Sequence, residues 1–288
     1  MTELLIEKLP KPNGSGSLKT WLQADAYAKR ILLGSSQANP WESVSSYVNW
    51  FSQAQNLTKS HVGIISIADV FDQKIQRDGG LEAKLGNRKK AKVALRRLLE
   101  IEDARGLINE VLSAVLAQHT QPVVVSIPSP KAWLYHAAQL AGLNVSEIAE
   151  EDIEDSAAYI TDLLRALSSH QISGLLLEEM LEDSQWTDAQ TQYYRPILNI
   201  ARHYRWSVVL RLPRDTSISV EASQDYDAVI GNIRGNEQTS TGVDVSVQFN
   251  QELELPNLSS GEFYFIEIDE HSLPEKITER VGAIQQVA

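Results

Sequence analysis

The sequence predicts a (β/α)8 TIM-type barrel with an N-terminal helical extension, and three observations carry that prediction. Six short apolar runs, each closed by a polar residue, recur along the chain; helical patterns lie between most of them; and a seventh, alternating run brings the strand count close to eight. Strands alternating with helices imply right-handed crossovers and a parallel sheet, for which an open doubly wound sheet is the alternative. At 288 residues and 32.1 kDa, with 43% hydrophobic residues, the chain has the length and apolar content for one such domain.

The elements follow in order. Residues 1–17 contain Pro10, Pro12 and the run Gly14-Ser15-Gly16-Ser17, which reads as a flexible arm. In residues 18–33, Leu18, Trp21, Leu22, Ala26, Ile31 and Leu32 recur near helical spacing before Gly34. A second helix is expected over 41–54, with Asn39 as cap and Pro40 at the first position. These helices, within residues 18–60, form the extension; residues 18–288 make one domain. Strands are expected at 62–67, 123–127, 174–178, 207–211, 226–230 and 263–267, with the alternating seventh at 243–249. Helices fill 90–118, 130–141, 156–170 and 187–205, and residues 70–120 form a long insertion.

Composition excludes several functions. A formal charge of −12 argues against wrapping nucleic acid or an anionic membrane surface. With no Cys, the chain has no disulfide, no thiolate nucleophile and no Cys-held metal. Met1 to Asn13 show no basic start followed by an apolar run, and no stretch is long enough to span a bilayer, so a soluble, cytoplasmic protein is expected. The phosphate-binding loops Gly-x-Gly-x-x-Gly and Gly-x-x-x-x-Gly-Lys-Ser/Thr, together with His-Glu-x-x-His and Gly-x-Ser-x-Gly, are all absent.

In a parallel barrel the residues just after each strand share the face where active sites sit. Glu178 and Glu179 close an apolar strand, where desolvation would suit a carboxyl to proton transfer; a solvated strand end is the plainer reading. Arg211 and Arg214 bracket Leu212-Pro213 and suit a substrate carboxylate, or an ion pair with nearby acids. Asp69 ends the first run. Ser126 and Ser129 flank a proline turn into a helix carrying His136, a second proton-transfer candidate; Asn232 follows another strand. His271, beside Asp269 and Glu267, forms a metal corner without a second His, so no metal and no cofactor are expected. Lys84, Arg88, Lys89, Lys90, Lys92, Arg96 and Arg97, behind Gly79-Gly80, read either as a lid or as a solvated face. On the second reading they pair with the acidic run Glu147, Glu150, Glu151, Asp152, Glu154 and Asp155. Trp186, Tyr193, Tyr194, Tyr204 and Trp206 could line a pocket, but their helical spacing suits core or, if exposed, a homodimer interface.

The phrase Gln121-Pro122-Val123-Val124-Val125-Ser126-Ile127-Pro128-Ser129-Pro130 precedes a helix. Together with Gly174 to Glu179, Tyr194-Arg195-Pro196-Ile197 and Leu273-Pro274-Glu275-Lys276-Ile277, it resembles the barrel superfamily of uroporphyrinogen decarboxylase and cobalamin-independent methionine synthase over residues 60–288. The resemblance implies a barrel with its site at the C-terminal strand mouth. The methionine synthase branch holds zinc through Cys, which this chain lacks. The decarboxylase branch has an arginine-rich segment near its N-terminus, where this chain has Lys29-Arg30 and no matching motif. The reading is therefore a divergent, metal-independent lyase, decarboxylase-like, or group transferase on a small or medium anionic substrate. Arg211, Arg214, Ser126, Ser129 and Asn232 would bind that substrate, and Glu178, Glu179, Asp69 and His136 would do the chemistry. The alternatives are a non-catalytic barrel that binds a ligand or partner protein, and a methyl transferase working with a cobalamin or folate partner.

Overall fold

The computed structural model describes residues 3–86, 90–179, 187–214, 216–234 and 239–287; Arg88, Lys89 and Trp186 of the segments discussed above lie outside them. Eight strands form one parallel sheet: β1 Thr20–Gln23, β2 Gly63–Ser66, β3 Val123–Pro128, β4 Gly174–Glu178, β5 Ser207–Arg211, β6 Ala228–Ile230, β7 Ser240–Asp244 and β8 Glu262–Glu267. Their order, β1-β8-β7-β6-β5-β4-β3-β2, wraps into the (β/α)8 barrel that the alternation of runs predicts. The strands are apolar on both faces because both are covered. Trp21, Ile64, Val124, Leu176, Val209, Phe263 and Phe265 fill the barrel interior. Ile65, Val125, Leu175, Leu177, Val208 and Leu210 pack outward under the helices. Gly242 makes room inside: a Cβ there would sit 2.7 Å from Ile230 and 2.9 Å from Phe263.

The barrel has a seam. β1 and β2 are the two ends of the strand order and share no ladder. Side chains bridge them instead, Ser60 Oγ donating to the Leu22 carbonyl at 3.3 Å and Ser66 Oγ to Asp25 Oδ2 at 3.0 Å.

The N-terminal half differs most from expectation. Residues 18–33 are not one helix: Thr20–Gln23 is the first barrel strand, pairing Thr20 to Gln23 with Tyr264 to Glu267, and the helix is Asp25–Leu33. Trp21 and Leu22 are both buried, one inside the barrel and one outside, so strand pairing overrides the helical spacing. The following helix spans Val44–Thr58 and is capped by Ser43, whose hydroxyl accepts from the Ser46 N–H; Asn39 instead accepts from Trp41 at 2.9 Å. The segment read as an arm packs against the barrel: Leu5 and Leu9 are buried in its interior cluster, and Ser173 and Ser240 donate to the Glu3 and Pro10 carbonyls. Each leucine contributes about 1.5–3 kcal/mol through burial. The strand expected at 243–249 is Ser240–Asp244, and the helix Ser246–Asn250 takes its second half.

The insertion is built from the helices Ala68–Arg77, Leu81–Leu85, Ala91–Leu99 and Glu102–Gln118. Ala91–Leu99 buries Ala91, Ala94, Leu95, Leu98 and Leu99, which makes it part of the outer core rather than a lid. Its cations pair as a solvated face does: Lys92 with Asp152 and Asp155, and Arg96 and Arg97 with Glu100. Tyr193, Tyr194 and Trp206 are core residues. Among the described residues no helix is long and apolar enough to cross a membrane.

Candidate functional site at the strand mouth

Strand register builds a polar layer directly above the apolar interior. The inward positions one step beyond Trp21, Ile64, Val124, Leu176, Val209 and Phe265 are Gln23, Ser66, Ser126, Glu178, Arg211 and Glu267. Glu178 stands opposite Arg211, Gln23 opposite Glu267 and Ser66 opposite Ser126. Arg211 lies at the centre. Its Nη1 donates to Glu178 Oε2 at 3.1 Å and to Gln23 Oε1 at 3.0 Å, its Nη2 to Glu267 Oε2 at 2.5 Å, and its guanidinium covers the Phe265 ring at 4.6 Å. Ser126 Oγ donates to the other oxygen of Glu178. With 4% of its side chain exposed, Arg211 is neutralised from two sides.

A second group lies at the seam. Asp25 opens the helix Asp25–Leu33 just beyond β1 and accepts from Ser66 at 3.0 Å. Burial pushes its carboxyl up to about 6; the nearby charges of Asp69 and Glu178 add to the rise, while Lys29 and the Ser66 hydroxyl hold it back. Lys29 Nζ is committed to Asp69 Oδ2 at 2.6 Å, and Asn39 Nδ2 donates to the Asp69 carbonyl at 3.3 Å. Tyr47, buried nearby, has its phenol pushed well above its ordinary range by burial and by the charges of Asp25 and Asp69, so it is a neutral hydroxyl at any ordinary pH.

The structure therefore brings together Glu178, Ser126 and Arg211, with Asp69 beside the seam. The other expected site residues lie elsewhere. Glu179 faces away from the mouth because successive strand residues alternate sides: it is 2% exposed and receives the Tyr194 hydroxyl, and burial raises its carboxyl while the hydroxyls of Tyr194 and Ser129 hold it back. Ser129 also caps the helix Pro130–Leu140. His136, on that helix, bonds Asp72 at 2.8 Å, and that bond raises its pKa. Arg214 is half exposed and 3.8 Å from Asp244. Asn232 is exposed on the short ribbon formed by Ser217–Ser219 and Asn232–Arg234. The metal corner does not assemble: Glu267 is held by Arg211, and His271 is exposed and faces Glu270 at 3.4 Å. Among the described residues no group of three or more His, Asp or Glu could hold a metal ion.

Sequence reasoning missed Gln23, Asp25, Ser66 and Lys29 as site residues. One signal was present: an Ala-Asp pair follows both strands, Ala24-Asp25 directly after β1 and Ala68-Asp69 one residue further on, after Ile67, at β2.

No protein-family model matches the chain, and no curated protein matches it. Among solved structures it is similar to the apo form of the homocysteine methyltransferase MmuM from Escherichia coli, at 11% identity over 93% of this chain and 95% of that one. The TM-score is 0.32.

Proposed function

We propose that the chain is a barrel enzyme that moves a proton on a small polar substrate at the strand mouth, with Asp25 as general acid or base. The observation that carries this reading is Asp25 itself, a carboxyl in contact with Ser66 whose pKa is pushed up to about 6. A group that titrates there exchanges protons readily near neutral pH, and an environment that strains a carboxylate is typical of catalytic positions. Ser66 orients the carboxyl, the Lys29–Asp69 pair sets its charge environment, and the neutral Tyr47 phenol is a hydrogen-bond donor beside it.

The pairing of Arg211 favours a changed role for Glu178, first assigned to catalysis. Glu178 and Glu267 hold Arg211, and Arg211 holds them, so this trio supports the floor of the mouth while Arg214 remains the half-exposed cation at its rim. The same pairing supports a second reading, a non-catalytic barrel that binds a ligand, since a mouth closed by ion pairs needs no chemistry.

Proton NMR of the wild-type protein and Asp25→Asn, each incubated with a mixture of small polar metabolites, separates the two. The enzyme reading expects at least one compound consumed by the wild type and untouched, though bound, with Asp25→Asn. A compound consumed equally by both would overturn the role of Asp25; binding without conversion of any compound by either protein would favour the second reading.

A further inference from the structure

Beside the mouth, a cavity of about 510 Å3 lies between the helix Ser246–Asn250 and the start of the helix Pro274–Val287. That is the size of a small-molecule site. Its wall is apolar on one side, where Phe249 and Ile277 are buried and Val247 and Leu273 are exposed at 38% and 54%. Val247 and Leu273, two of the six exposed large apolar side chains among the described residues, line it. Scattered exposed leucines need no explanation, but a cluster around a cavity points to a ligand.

The other side of the wall is cationic. Arg214, Lys276 and Arg280 line the cavity against Glu252 and Asp269, an excess of one positive charge in a chain of net charge −12. Both acids are occupied, Glu252 by Lys276 and Asp269 by the His271 N–H at 2.8 Å. Arg280 is not. Its guanidinium lies over the Phe249 ring at 5.1 Å and donates from Nη2 to the Leu253 carbonyl at 3.1 Å, while its buried Nε has no hydrogen-bond partner and the residue forms no ion pair among the described residues. A buried donor without an acceptor is costly, and the exposed Nη atoms of the same guanidinium are the part of Arg280 that a ligand in the cavity can reach.

We propose that this cavity binds an amphipathic monoanion of the medium-chain carboxylate class. Its carboxylate meets Arg280, with Lys276 and Arg214 at the rim, and its apolar body lies along Phe249, Val247, Leu273 and Ile277. The site is independent of the chemistry at Asp25, because binding is read without turnover.

The probe is octanoate, measured by calorimetry at low ionic strength, with octanol as the uncharged control. The expected result is saturable one-to-one binding by the wild type, at least tenfold weaker for Arg280→Gln and for octanol. Leu273→Asp changes an exposed residue, so it leaves the melting temperature in place and places a negative charge at the cavity; it is expected to weaken octanoate by tenfold or more. No saturable binding by the wild type, or binding that both variants leave unchanged, would overturn the proposal. Either result would leave the reading of Asp25 standing.

Discussion

The two sides of the strand mouth handle buried charge in opposite ways. On the side of β4, β5 and β8, Arg211 is matched by Glu178 and Glu267, with Gln23 and Ser126 taking up the remaining hydrogen-bonding capacity. On the seam side, Asp25 shares its surroundings with Asp69 and Glu178, and the nearest cation, Lys29, is already bonded to Asp69. The matched side is built to hold its shape. The mismatched side holds a carboxyl in a state it would not choose in water, and that cost is tolerated where it serves proton transfer.

The largest expected effect comes from breaking the matched side. Arg211→Met leaves Glu178 and Glu267 close together without their cation, and should lower stability by about 3–5 kcal/mol in urea unfolding at pH 7. A loss below about 1 kcal/mol would mean that the trio contributes little.

Asp25→Asn should act in the reverse direction. The carboxyl titrates near 6 in the folded protein and near 3.9 in an unfolded chain. The folded state therefore binds the extra proton between those values, and stability falls as pH rises through that window. Removing the charge should raise stability by about 1–3 kcal/mol at pH 8 and change it little at pH 4, while abolishing turnover. A substitution that destabilises at pH 8 would make Asp25 a structural residue.

Lys29→Met should sharpen the contrast by a smaller amount. It removes the cation that favours ionised Asp25 and frees Asp69 to repel it, so the midpoint of any pH–rate profile should move up by about half a unit to one unit. Ser66→Ala removes one hydrogen bond to the charged form and should move the same midpoint up by a few tenths. A midpoint that stays put in both variants would place the titrating group elsewhere.

How much of this was legible depended on how each element is buried. β2, β3, β4, β5 and β8 are covered on both faces and read as unbroken apolar runs, so their positions and polar ends were visible. β1 has only four residues, two of them Thr20 and Gln23, and helical spacing in its neighbours masked it. β7, Ser240-Thr241-Gly242-Val243-Asp244, is polar and small because Phe263 occupies the space inside Gly242, so the eye moves to the alternating residues after it. The same logic applies to the site. Glu178, Ser126 and Arg211 close recognisable strands and were found. Glu179 was drawn in by adjacency, although the pleat turns it outward to Tyr194. Asp25 was missed because its strand was missed.

The most direct test is a carbon-13 NMR titration of the Asp25 side chain in protein labelled at aspartate carboxyls, assigned by comparison with Asp25→Asn. The account predicts a midpoint near 6. A midpoint at or below the ordinary aspartate value of about 3.9 would show a comfortably ionised carboxylate and contradict it.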